Sequence, residues 1–300
     1  MKLHLDMYQE LIKAGLVKAK VDTETNRVII KYARKVFYDK LWLKHPLLVE
    51  ARGHVFDAVT GNLLVAPPTK IFNLGEYGTG ENIPKDQLVS VVRKVNGFLA
   101  CVTFIDGEMV VTTTGSLDSD FVHLARKHLE KLNWEAIGRP EGQTFHFEIC
   151  DNDDPHIVTE IPGAYLIGQR SHNDLSSALE FHLNDTAYQI GAFRPGSFEA
   201  AWAAVLVMLD DVSHEGFMVR DFTTGETLVK LKSPHYLTKK FLMRMGNHKA
   251  REMFADPIKF KMNLDEEFYD VFDHIVKEFS CDAWMNFNDQ DRRAVMEDFL

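Results

Sequence analysis

The order of apolar and polar positions divides the chain into a long strand-rich stretch and a helical end. Leu3 to Leu16 carries apolar residues at helical spacing, with Gly15 where that helix frays. Lys18 to Tyr38 alternates around the turn Asp22-Thr23-Glu24-Thr25-Asn26 and predicts a hairpin. Leu47 to Asp57 and the run ending at Ala66, joined through Thr60-Gly61-Asn62, predict two more strands. The following Pro67-Pro68 pair fixes an extended path that presents Lys70, Phe72 and Asn73.

The next stretch is the one the rest is organised around. Leu88 to Lys94 is apolar until its last residues, Asn96-Gly97 turns the chain, and Phe98 to Phe104 is apolar again. This predicts a strand, a tight turn and a returning strand, with Lys94 at the edge of the turn. Met109 to Thr114 and Thr144 to Cys150 read as strands and Asp118 to Leu132 as a helix. Within Thr144 to Cys150, strand alternation puts Glu148 on one face with His146 and Cys150, opposite Phe147 and Ile149. Ala164 to Gln169 reads as a strand, and Leu175 to His182 and Phe198 to Leu209 as helices. Glu215-Gly216 opens a further strand, whose partner carries Lys230 and Lys232 two apart and therefore on one face. From Tyr236 the strand patterns stop, and Leu237 to Phe254, Asp265 to Phe279 and Asn288 to Leu300 predict helices. The fold class expected is α+β with antiparallel sheets over residues 1–238, and a small all-helical C-terminal domain over 239–300.

Composition changes this picture little. The 300 residues are 45% apolar and 26% charged, enough for a substantial core. A net charge of −10 argues against a uniformly basic nucleic-acid surface, but Lys230, Lys232, Lys239, Lys240, Arg244, Lys249 and Arg251 are bunched, so the surface is polarised. The acidic loop Asp151 to Asp154 reads as solvated. The longest apolar run, Ala200 to Leu209, is too short to span a bilayer, and His4 and Asp6 interrupt the N-terminus, so neither a membrane nor a signal peptide is expected. Three cysteines at unpatterned spacing point to a reducing cytoplasm.

An Asn-Gly turn after an apolar strand is by itself only a hairpin, and the lysine before it a solvated one. The same lysine becomes a nucleophile if burial or neighbouring cations lower its pKa. Two ammonium groups on one sheet face also suit a phosphate clamp. In chain order the chain carries R-G at Arg52, K-x-F-N at Lys70, K-x-N-G at Lys94, F-E at Glu148, E-G at Glu215 and K-x-K at Lys230. This series, between about Val49 and Leu237, resembles the covalent nucleotidyltransferase superfamily of polynucleotide ligases and capping enzymes. It is most similar to the phage RNA ligase 1 class of ATP-dependent tRNA-repair ligases.

The resemblance implies an ATP- and Mg²⁺-dependent RNA ligase that passes AMP from Lys94 to an RNA 5′-phosphate, which a 3′-hydroxyl then attacks. Lys230 and Lys232 would help lower the pKa of Lys94 and neutralise the α-phosphate, Glu148 would accept the ribose hydroxyls, and Glu215 would hold Mg²⁺ or orient the lysine. Arg52 and Lys70 would grip phosphates, Phe72 would stack on a base or pack as a core ring, and Asn96, Gly97 and Gly216 would complete the nucleotide site. The partner implied is RNA with those two ends, such as nicked tRNA, met by a monomeric enzyme. Two positions depart from the pattern. Asn96 stands where the family usually has Asp, and Thr113-Thr114 where relatives often carry a basic residue. A nick-sealing DNA ligase or a GTP-using capping enzyme is disfavoured by the helical end, which leaves no place for an oligonucleotide-binding barrel. A nucleotide- or RNA-binding protein with little turnover is the alternative from another class.

Overall fold

In a computed structural model, residues 2–178, 188–189, 196–264, 268–297 and 299 are described. Fourteen strands form three sheets among them. The first holds β1 (Val17–Asp22), β2 (Arg27–Tyr32), β3 (Arg52–Asp57) and β4 (Leu63–Val65) in that order, all antiparallel. The second runs β10 (Ser177–Ala178), β9 (Gly163–Ser171), β8 (Gln143–Cys150), β6 (Phe98–Ile105), β7 (Glu108–Thr113), with β11 (Tyr188–Gln189) parallel to β9. The third runs β12 (Gly196–Ser197), β5 (Leu88–Lys94), β13 (Gly216–Asp221), β14 (Thr227–Lys232).

The apolar alternation of each strand has a matching core. Val89, Val91, Phe217, Val219, Val229 and Leu231 turn one face of the third sheet onto the helix Phe198–Leu209, so its other face is free to line a cleft. Val102, Phe104, Phe145, Phe147 and Ile149 bury the second sheet against the helix Asp120–Leu129. Ile29, Val55, Val65 and Cys101 join the first sheet to the second. The helices Pro234–Met243, Asn247–Ala255, Tyr269–Glu278, Cys281–Asn286 and Asp289–Glu297 share a core around Trp284, Phe268 and Phe272. The second of them begins after Gly246, which divides the single helix read over Leu237 to Phe254.

Five readings are corrected. The turn at Asn96-Gly97 does not close a hairpin: β5 pairs with β12 and β13 while β6 pairs with β7 and β8, so the turn carries the chain from one sheet to another. Arg34–Tyr38 is a helix, not the end of a strand, and Pro46–Leu48 is a 3₁₀ turn capped by the His45 ring, which delays β3 until Arg52. Ser177–Ala178 is a strand against β9 where a helix was read; 179–182 of that reading, 265–267 of another, and 298 and 300 of the last fall outside the described residues. Asp151 is not solvated: it is buried, bonded to Lys127 and His128 at the end of the helix Asp120–Leu129.

Candidate active site

Three cross-strand rows line the cleft face of the third sheet. The first places Lys94 of β5 and Lys232 of β14 on either side of Gly216 of β13. Gly216 has φ +136°, and a Cβ there would lie 2.1 Å from the Leu231 carbonyl oxygen, so no other residue fits between the two lysines without moving a strand. The second row is Val92, Met218 and Lys230, and the third is Ser90, Arg220 and Thr227.

The first row is a closed network around Glu215, only 3% of whose side chain is exposed. Its Oε2 accepts from Lys94 Nζ at 2.7 Å and from Asn96 Nδ2 at 2.8 Å, and its Oε1 pairs with Lys232 Nζ at 3.0 Å. Asn96 in turn accepts the Val158 backbone N–H at 2.8 Å on Oδ1, which ties the site to the loop on which the C-terminal helices pack. Gly97 approaches β8 closely enough that a Cβ would meet Ile149 O at 2.1 Å, and its N–H donates to Glu148 Oε1 at 3.2 Å. The hydroxyl of Ser233 accepts from Tyr236 N at 3.1 Å and, with Pro234 behind it, starts the next helix where the Tyr236 ring lies 4.4 Å beneath Lys232 Nζ.

These carboxylates reverse the expectation for Lys94. Burial works to lower its pKa, but Glu148 and Glu215 outweigh burial and hold it above the ordinary lysine value. Burial raises the Glu148 carboxyl, with Lys94 opposing, and Glu215 is held low because Lys94 and Lys232 outweigh its own burial. The depressed pKa belongs to neighbours of Lys94: Lys230 is lowered to about 8 by burial and by Lys70, Lys232, Lys94 and Arg52, and Lys70 is lowered by burial and by Arg52.

Beyond the first row the counter-charges stand farther off: Glu76 acts on Lys70 and Lys230, and Glu148 and Glu50 act on Arg52. Among the described residues, Lys70, Lys230, Arg52 and Arg220 have no carboxylate at ion-pair distance. Arg52 donates only to the Pro68 and Thr69 carbonyls, at 3.4 Å each. Lys70 lies 5.3 Å above both the Trp42 and the Phe72 rings, so Phe72 is a wall packed between Trp42 and Tyr77. Arg220 is 5% exposed, its Nε has no partner, and burial brings its pKa down to about 10. With Lys70, Phe72, His146 and the Glu50–Arg170 ion pair it lines a pocket of about 390 Å³. Burial, with Arg170, Arg220 and Arg52 adding to it, holds the His146 ring neutral at a pKa of about 3.

The fold thus brings Lys94, Asn96, Gly97, Glu148, Glu215, Gly216, Lys230 and Lys232 together, with Arg52, Lys70 and Phe72 on the opposite wall. Arg220 and Arg170 were not anticipated; each sits in an ordinary alternating strand, and only the pairing of strands shows what they face. No group of three or more His, Cys, Asp or Glu side chains among the described residues could hold a metal ion. With Glu215 already accepting from three donors, the arrangement suits an orienting carboxylate and does not fit a protein-built Mg²⁺ site.

No protein-family model matches the chain. A Thermovibrio ammonificans protein named "Putative RNA ligase" is 24% identical over 249 residues, covering 78% of this chain and 63% of its own length, so the chain spans less than two thirds of that relative. The solved structure of an archaeal ATP-dependent RNA ligase (form 1) superposes with a TM-score of 0.62 at 16% identity, over 97% of this chain and 79% of that one. The fold is that of the ATP-dependent RNA ligases. A structure named "Putative ATP-dependent DNA ligase from Aquifex aeolicus" shares it less closely, with a TM-score of 0.53 at 12% identity over 91% of this chain and 72% of the other.

Proposed function

We propose that the protein is an ATP-dependent RNA ligase acting through a lysyl-AMP intermediate. One observation carries the reading: a buried lysine–glutamate–lysine network opens onto a row of cations that make no ion pair among the described residues, in a chain of net charge −10. Uncompensated ammonium and guanidinium groups in a cleft are costly unless an anion arrives, and a triphosphate supplies one for each row. Lys94 Nζ attacks the α-phosphorus of ATP, a P–N bond forms, the bond to the bridging oxygen of the β-phosphate breaks, and pyrophosphate leaves. Attack requires a neutral amine, and Glu215 Oε2, 2.7 Å away, is the nearest acceptor for the departing proton. Lys232 and Lys230 face the charge that develops on the α-phosphate, while Lys70, Arg52 and Arg220 receive the terminal phosphates. Glu148 holds the ribose. AMP then passes to an RNA 5′-phosphate and is displaced by a 3′-hydroxyl, and the helical C-terminal part over 239–300, proposed as a separate domain, reads the shape of a broken RNA such as tRNA.

A second reading rests on the raised pKa of Lys94: a protein of this fold that binds nucleotide and RNA without turnover. Incubation with magnesium and ATP or GTP labelled at the α-phosphate, followed by denaturing electrophoresis and intact mass, separates the two. The ligase reading predicts a covalent AMP adduct and its transfer to 5′-phosphorylated RNA. A GMP adduct indicates capping chemistry, transfer to nicked DNA but not RNA indicates a DNA ligase, and no adduct from protein free of bound AMP indicates the binding protein.

A further inference from the structure

The row of unpaired cations does not end at the cleft. Arg52 of β3 lies opposite Lys31 of β2, and Lys31 lies opposite Lys18 of β1, so three cations stand side by side across three neighbouring strands. Like charges directly opposite one another destabilise a sheet, and none of the three has a carboxylate at ion-pair distance among the described residues. Lys18 and Lys31 are exposed and, with Tyr32, Arg34, Phe37 and Tyr38, line a surface pocket that contains no acidic residue. Phe37 is 57% exposed and Tyr38 72%, an unusual setting for two adjacent aromatic rings, which meet edge to face at 5.5 Å. Tyr32 continues the surface inward: its ring meets Trp42 at 4.7 Å, and Trp42 meets Phe72 at 5.6 Å, beneath Lys70.

Aromatic rings set beside cations on an open surface match the requirements of a single strand of nucleic acid, whose bases stack while its phosphates are neutralised. An apolar protein partner would leave Lys18, Lys31 and Arg34 uncompensated. Resting on the ligase reading, we infer that this face of the first sheet is the platform that holds one single-stranded RNA end, with its bases on Phe37 and Tyr38 and its backbone along Lys18, Lys31 and Arg34, and that it leads that end past Arg52 into the cleft.

The test uses the full chain and a fluorescent, 5′-phosphorylated single-stranded RNA of about ten nucleotides, with binding followed by anisotropy at several salt concentrations. The Phe37→Ala/Tyr38→Ala variant weakens binding at least about tenfold, and Phe37→Trp/Tyr38→Trp retains it. The Lys18→Ser/Lys31→Ser/Arg34→Ser variant lowers the slope of log K against log salt by about 2, because each cation releases about 0.7 counterion from a single strand. Binding unchanged in both the alanine and the serine variants would overturn the platform, as would a patch that takes anionic vesicles in preference to RNA. Lysyl-AMP formation needs no RNA and is measured on the same preparations. An adduct with RNA binding insensitive to the patch sinks the platform and leaves the ligase reading standing; patch-dependent RNA binding with no adduct does the reverse.

Discussion

Lys94 and Lys230 stand one cross-strand row apart on the same sheet face, yet they differ in what surrounds them. Lys94 shares a buried carboxylate with Lys232, is bracketed by Glu148, and has its pKa raised. Lys230, with Lys70 and Arg52 around it and no carboxylate in ion-pair reach among the described residues, has a pKa of about 8. The difference teaches that two lysines in one cleft serve opposite needs. A nucleophile must be held in one position, which a carboxylate does at the expense of the neutral amine that attacks. A phosphate-binding cation is left unpaired, so that the incoming anion supplies what the fold withholds.

The comparison is broken most forcefully by Glu215→Gln. The amide keeps the shape but leaves Lys94 and Lys232 without their common charge, and removing one member of such a buried network costs about 3–5 kcal/mol. A lowered melting temperature together with at least about a hundredfold slower adduct formation is expected from thermal denaturation and labelled-ATP kinetics. At the other end the sign reverses. Arg220→Met removes a buried, unpaired guanidinium, so the free protein gains about 1 kcal/mol while affinity for ATP falls, measured by the melting temperature with and without nucleotide. If Arg220→Met instead destabilises the protein as Glu215→Gln does, the contrast between paired and unpaired rows is wrong.

The pH dependence of nucleotide affinity gives a finer test. With a pKa near 8, Lys230 is charged at pH 7 and neutral at pH 9.5, so the site loses one cation over a range in which an ordinary lysine would keep it. Affinity for ATP should fall as pH rises through about 8, by at most about tenfold per pH unit, and Lys230→Arg should flatten that fall in calorimetric titrations. An effect smaller than that of Glu215→Gln is expected from Asn96→Ala, which deletes one bond to Glu215 and one to Val158 and costs about 1–3 kcal/mol, with slower adduct formation but no change in nucleotide affinity.

Much of this site was legible in the sequence because strands impose a period of two. Glu148 shares its face with His146, and Lys230 with Lys232, for that reason alone. What could not be read was which strands lie side by side. Asn96-Gly97 has the residues of a hairpin turn, yet both positions are used for something else, Asn96 to bind Glu215 and Val158 and Gly97 to approach Ile149. Lys94 and Glu215 are separated by 121 positions, so the sequence could name Glu215 but not show that it and Glu148 press on Lys94 more strongly than the cations of β14, and the expected sign came out reversed. Arg220 reads as one polar position of an ordinary strand; its burial without a partner appears only once β13 is set between β5 and β14 and facing His146.

The most direct measurement follows from the contrast between the two lysines. Lys230 has the lower pKa and would take the label if the supply of neutral amine alone decided, whereas the account assigns attack to Lys94 because Glu215 holds its amine and stands ready for its proton. Peptide mapping by mass spectrometry, after reaction with labelled ATP, should place AMP on Lys94 and find none on the Lys94→Ala protein, while Lys230→Ala still carries it on Lys94 at a reduced rate. AMP on Lys230, or an adduct that survives Lys94→Ala, would contradict the account.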